Sequence, residues 1–174
     1  MKDKQLKSYL TFRLKGELFA IGVDKVLEII ETSEDHSVTN LPKAPDAVEG
    51  VVNFRGNVIP VINMRQKFDL ANYEEQERFV IMVLNLTLSD EDQIIGAMSD
   101  KVVDVIEIAE TEIQPVPEVG KGYNSDYVSG VVYRHEEFVM VLDVEAAIDT
   151  DEIIQLKQEE EVVETEEDKA SEAE

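Results

Sequence analysis

Cysteine is absent from this chain of 174 residues. Disulfides, thiol chemistry and cysteine-ligated metal centres are therefore excluded, and the absence accords with a reducing, cytoplasmic setting. Positive charge is scarce: 16 Lys and Arg stand against 39 Asp and Glu, a formal net charge of −23. Nucleic acid and anionic membranes both demand the opposite balance, so neither is an expected partner. The longest apolar runs, such as residues 79–84, fall far short of the roughly 20 residues that cross a bilayer, so no membrane insertion is expected. The opening residues, MKDKQLKSYL, lack the apolar core of a signal peptide. Glycine-rich phosphate loops, nucleophile elbows and HExxH patterns are missing too.

The remaining candidates for chemistry are weak. His36 lies in a polar loop and His135 in a hairpin turn, without the spacing of metal ligands. Carboxylates are abundant, but acid–base catalysis needs a coupled or desolvated pair, and no spacing here fixes one. Catalytic residues, metal ligands and cofactors are therefore not expected. What remains is protein recognition.

The chain is organised around residues 50–68, GVVNFRGNVIPVINMRQKF. Val51, Val52, Val58, Ile59, Val61 and Ile62 favour a pleated, half-buried surface. Arg55-Gly56-Asn57 supplies the turn, where Gly and Asn tolerate positive φ. Asn63 is placed to cap a short helix over 64–68. Pro60 has no N–H to donate and predicts an edge strand or a bulge. In so acidic a chain, Arg55 at the tip of an apolar hairpin reads either as a solvated turn residue or as an anchor for a partner.

This stretch recurs. Residues 130–148, GVVYRHEEFVMVLDVEAAI, align with 50–68 without a gap, and residues 100–107 align with 24–31. Leu41-Pro42 matches Val116-Pro117, and a short insertion falls near 120–126. Two copies are too few for a solenoid and indicate a duplication. Strands are predicted over 9–14, 18–21, 26–32, 79–88, 94–98, 102–108, 127–133 and 138–142, in addition to the first hairpin. A turn is predicted over 87–93, and Asp143 is placed to cap a helix ending near Ile148. About five short strands per copy close naturally as a small antiparallel barrel. The expected division is a first barrel over 15–77 and a second over 8–14 and 78–148. Residues 149–174 are acidic and poor in apolar side chains; they predict a partly helical or disordered tail.

The residues 51–65, VVNFRGNVIPVINMR, resemble the signature of the CheW-like domains, the coupling proteins of bacterial chemotaxis. FAIGVDKVLEII, residues 19–30, is similar to the segment that precedes it in that family, and Ala44-Pro45 to Gly50 to its lead-in. The resemblance spans about residues 8–148, with three segments in order; Asn57 and Met64 differ from the commonest forms of the motif. It implies two similar five-stranded SH3-like β-barrels in a mainly β chain with short helices, without catalysis or cofactor. It implies an adaptor, stand-alone rather than fused to a kinase or receiver domain, that works in the cytoplasm at receptor arrays beneath the inner membrane. The adaptor couples the cytoplasmic tips of methyl-accepting chemoreceptors to the regulatory domain of the histidine kinase CheA.

Carried onto this sequence, the resemblance implies receptor-binding roles for Val26, Glu28, Ile29, Arg55, Val102 and Val105. These lie on or beside strands expected to flank a groove between the barrels. It implies kinase-binding roles for Gly56, Asn57, Val58 and Ile59. Arg55 is expected to pair with Glu28 or with a partner's carboxylate, and the repeat sets Asp104 and His135 at the matching places. Two other readings are a CheW-like module of another receptor or motility system and, more remotely, a carboxylate enzyme on a barrel scaffold.

Overall fold

The computed structural model describes residues 5–32, 38–75, 77–116 and 127–148. The expected tail and insertion, and His36, lie outside them. Ten strands follow one another: β1 (Leu6–Leu14), β2 (Glu17–Gly22), β3 (Val26–Glu31), β4 (Val48–Phe54), β5 (Asn57–Asn63), β6 (Val80–Leu88), β7 (Glu91–Ser99), β8 (Lys101–Ala109), β9 (Val128–Arg134) and β10 (Glu137–Leu142). Two short helices, α1 (Met64–Lys67) and α2 (Val144–Ala147), follow β5 and β10. The chain is mainly β, as its β-branched alternation requires.

The repeat is visible element by element. β4, β5 and α1 correspond to β9, β10 and α2 at the aligned positions. Both helices start from the predicted caps: Asn63 accepts from the Gln66 N–H, and Asp143 accepts from the Ala146 N–H. Among the described residues, all four hairpins turn on two residues with positive φ, namely Lys15-Gly16, Arg55-Gly56, Ser89-Asp90 and His135-Glu136. That geometry matches the right-handed twist of the flanking strands. The turn expected over 87–93 contracts to Ser89-Asp90. Polar Thr87, Glu91 and Asp92 continue the ladder, pairing as Thr87↔Asp92 and Leu88↔Glu91; an apolar count alone ended the strands too early.

Hydrogen bonding sorts the strands into two five-stranded sheets, ordered β8-β1-β2-β10-β9 and β3-β6-β7-β5-β4. Under the repeat these orders are the same, with β8 standing for β3, β1 for β6, β2 for β7, β10 for β5 and β9 for β4. Each sheet therefore joins the opening hairpin of one copy to the last three strands of the other. This differs from the expected division at 15–77 against 8–14 and 78–148. β2 belongs with β1 and β8, and β6 and β7 belong with β3 to β5. The physical reason lies in β6, which is apolar on both faces. Ile81 and Val83 fill the core of their own sheet, while Met82, Leu84, Leu86 and Leu88 face the other sheet.

The largest core lies between the two sheets. Phe12, Phe19, Ile21, Ile62, Met64, Phe68, Leu84 and Ile95 meet there with Leu142 and Val144. Phe19 stacks beside Phe12 at 5.8 Å and packs on Phe68 at 5.2 Å, so aromatic contact runs from one sheet to the helix of the other. A smaller core fills each sheet's own concave side, built on Val52, Phe54, Ile59 and Val61 in one and on Ile108, Val132 and Val141 in the other. Pro60 is neither on an edge strand nor at a bulge. β5 lies between β4 and β7, and its parallel ladder to β7 begins only at Val61, one residue beyond the proline. The missing N–H thus falls where that second ladder has not yet begun.

Candidate functional site

β3 and β8 are matching outer strands of the two sheets. Register decides which way their side chains point, because residues directly opposite share a face. Val26 and Ile29 lie opposite Leu84 and Met82, which belong to the core between the sheets. Val102 and Val105 lie opposite Phe12 and Leu10 of the same core. All four therefore face the space between the sheets. Val26 and Val102 are partly buried against the shared core, whereas Ile29 and Val105 remain exposed at 39% and 57%. Leu27 and Val103, at register shifts in the two strands, add further exposed apolar surface at matched places. Two apolar stripes, one per sheet, thus border the seam between the sheets.

The tip of the first hairpin carries the second group. Arg55 and Gly56 form the turn, and the Gly56 N–H donates to Asn53 Oδ1 at 3.0 Å. Arg55 Nη2 lies 3.7 Å from Glu28 Oε2, which joins the tip of β4–β5 to β3, the opposite edge of the same sheet. The guanidinium also rests over the Phe54 ring at 4.9 Å. Both charged groups stay largely in solvent, with side-chain exposures of 70% and 46%. Asn57 and Val58 are exposed, Val58 at 68%. Ile59 points the other way and is buried in the core of its sheet. It has no surface to offer a partner and acts by packing.

The second copy is built differently. Asp104 bonds with Thr11 rather than with His135: Thr11 Oγ1 donates to Asp104 Oδ1 at 2.6 Å and accepts from the Asp104 N–H. Arg134, one residue before His135, donates to the Glu107 carbonyl and to Glu112 Oε2. The expectation of one matched acid–base pair per copy therefore gives way to two unlike arrangements. Sequence reasoning also missed Tyr133 and Phe138. They oppose each other across β9 and β10, pack at 5.0 Å, and are 60% and 64% exposed. They stand where the first copy has Asn53 and Val58, and that alignment was the signal available.

A buried polar knot lies behind the seam. Arg65 of α1 is almost fully buried and donates to Asp100 Oδ1 and to Glu77 Oε2, both at 2.8 Å. Its guanidinium stacks on Tyr73 at 3.7 Å, and the Tyr73 hydroxyl donates to Asp100. Burial alone would raise Asp100, but the hydrogen bonds from Arg65 and Tyr73 outweigh it and hold the carboxyl below its ordinary value. Burial first, and then the bond to Asp100, push the Tyr73 phenol well above its ordinary value. Among the described residues, no group of three His, Asp or Glu could hold a metal ion, and no helix is long and apolar enough to cross a membrane.

Paired sheets, a shared core and matched apolar stripes define a protein-recognition scaffold. The sequence profile of the CheW-like domain matches residues 8–152, and the chain belongs to that family. It is 31% identical over 160 residues to the chemotaxis protein CheW of Treponema pallidum, covering 90% of this chain and 89% of that one. Over 147 residues it is 29% identical to the chemotaxis protein CheW of Klebsiella aerogenes, covering 84% of each. The crystal structure of the scaffolding protein TtCheW from Thermoanaerobacter tengcongensis superposes with a TM-score of 0.69 at 25% identity, covering 83% of this chain and 94% of that one.

Proposed function

We propose that this chain is a non-catalytic adaptor that couples chemoreceptor tips to the histidine kinase CheA, in the cytoplasm beneath the inner membrane. The observation that carries the reading is the pair of apolar stripes, Val26 with Ile29 and Val102 with Val105, facing one seam from two sheets, with Leu27 and Val103 exposed beside them. A receptor tip built of paired helices offers two apolar ridges, and such ridges dock into an apolar groove through side chains at i, i+3 and i+4. Val26 and Val102 form the floor of each stripe, while Glu28, opposite Val83, turns to the other face of β3 and meets Arg55 there.

The kinase's regulatory domain is assigned to the hairpin tip, where Gly56, Asn57 and Val58 are exposed beside Arg55. An exposed apolar residue next to an arginine suits an interface anchor. Family membership and the names of the relatives support the chemotaxis setting. The test is a binding experiment with the full chain, a soluble receptor-tip fragment and the CheA regulatory domain. Both should bind separately and together in one complex. A folded chain that binds neither overturns the reading, and one that binds only the tip of another receptor system's signalling protein reassigns it.

A further inference from the structure

The two places where the chain passes between sheets are fastened alike. The first lies between β2 and β3, where a single 3-10 turn ends in Lys25. The second lies at Asp100, between β7 and β8. Lys25 directly precedes β3 and Asp100 directly precedes β8, the two strands that carry the apolar stripes. At the first crossover Lys25 Nζ donates to Glu145 Oε1 of α2 at 2.5 Å. The same oxygen accepts from the Thr87 N–H of β6, in the other sheet, at 3.4 Å. At the second crossover Asp100 accepts from Arg65 of α1, and its other oxygen accepts from the Lys15 N–H in the β1–β2 turn, again in the other sheet.

The polarity is reversed. Arg65 and Glu145 occupy the same position in the aligned copies, yet one is a cation and the other an anion. Both crossovers carry the same Asp-Lys pair, Asp24-Lys25 and Asp100-Lys101; Arg65 takes the carboxylate of its crossover and Glu145 the ammonium of its own. Both clasps tie one sheet to the start of a stripe-bearing strand of the other, through adjacent rather than equivalent positions of the repeat.

We infer that Lys25 with Glu145, and Asp100 with Arg65, are positioning pairs that fix the spacing of the two apolar stripes for the partner that docks in the seam. The inference rests on the reading of the seam as the receptor-docking groove. A groove partner touching both sheets needs that spacing set before it binds, because a loose site loses affinity to ordering costs. A partner at the β4–β5 tip touches one sheet and is indifferent to it.

The experiment uses the absence of cysteine. Spin labels at Leu27→Cys and Val103→Cys, both on exposed positions, report the distance between the stripes in the full chain without any partner. Glu145→Lys should broaden or shift that distance distribution, Lys25→Glu should do the same, and the double exchange should restore the parent distribution. Receptor-fragment affinity should fall about tenfold in each single variant and recover in the double, while affinity for the kinase regulatory domain changes less than about twofold. Glu145→Gln serves as the milder variant should Glu145→Lys fold poorly. An unchanged distance distribution overturns the inference, whether or not either partner binds. So does equal loss of both partners, or a double exchange that fails to recover. A parent chain that binds neither partner, yet shows the predicted changes in distance, overturns the coupling reading alone.

Discussion

Gly50 lies so close to Thr39 that a Cβ on the glycine would sit 2.0 Å from the threonine carbonyl oxygen. The two strands of chain are held there by a reciprocal pair of hydrogen bonds between Thr39 and Val51, both 2.9 Å. The second copy repeats the arrangement with Gln114 and Val131. At Gly130 the nearest obstacle to a Cβ is the Ile113 side chain at 2.3 Å, with the Gln114 carbonyl at 2.7 Å. Duplication has thus preserved a glycine at each site where the connector crosses the sheet edge.

Gly50→Ala meets backbone at every near contact and should cost about 3 kcal/mol, at the upper end of overpacking. Gly130→Ala can shift the Ile113 side chain and should cost less, about 1–2 kcal/mol. Gly56→Ala has open space but a φ of 83°, and should cost roughly 1 kcal/mol. Urea unfolding of the three variants checks the order. An equal cost at all three sites would show that the connector gives way freely.

The core between the sheets makes a second prediction. Phe19 is buried in that core and touches Phe12 and Phe68 from different parts of the fold. Phe19→Ala should cost about 3–5 kcal/mol. Because the two sheets share this core, they should lose structure together. Far-ultraviolet circular dichroism and tyrosine fluorescence should give one coincident transition in both parent and variant. Two separated transitions would mean that the sheets are energetically independent.

Acid should act through the carboxylates that are already paired. Hydrogen bonds from Arg65 hold Glu77 below its ordinary value, and those from Lys25 do the same for Glu145; Asp100 is lowered in spite of its burial. A carboxyl group whose folded value is depressed stabilises the fold above its unfolded value, and that stability is lost as pH falls through the folded value. Stability should therefore be full at neutral pH and decline below the ordinary carboxylate range. Asp100→Asn leaves Glu77 as the one carboxylate bonded to Arg65 and should cost about 3 kcal/mol at neutral pH, lowering Tm by roughly 6–12 °C. The variant's acid limb should also be shallower than the parent's. Parallel acid limbs would remove Asp100 from the account.

Much of this was legible because it is local. The capped helices after Asn63 and Asp143, and the place of the turn at Arg55-Gly56, follow from residue types at fixed offsets, whereas the tight turn at Ser89-Asp90 did not. The sorting of hairpins into sheets was not legible, since β6 has apolar residues on both faces and suits either sheet equally well. Ile59 and Val58 were open to a better reading. Alternation along β5 places one inward and one outward, so only Val58 could meet a partner. Arg65 and Asp100 are far apart in sequence, and no pattern links them before the fold brings α1 to the second crossover.

Arg55 gives the sharpest test, because its two readings differ in magnitude. Its ion pair with Glu28 is 3.7 Å long and mostly exposed, and such a pair adds only about 0–1 kcal/mol to folding. The contact over Phe54 is likewise at the surface. Arg55→Ala should therefore leave Tm nearly unchanged. An arginine that becomes desolvated at an interface costs roughly 2 kcal/mol or more when truncated, so affinity for the receptor tip or the CheA regulatory domain should fall about tenfold or more. Arg55→Glu should bind more weakly still, since it sets a carboxylate beside Glu28. Adding Glu28→Arg to that variant rebuilds the pair with its charges exchanged. Partial recovery would place the role of Arg55 in holding the hairpin tip against β3, and no recovery would place it in direct contact with a partner's carboxylate. Should Arg55→Ala bind both partners as tightly as the parent, the arginine is a solvated turn residue and the tip's interface rests on Gly56, Asn57 and Val58.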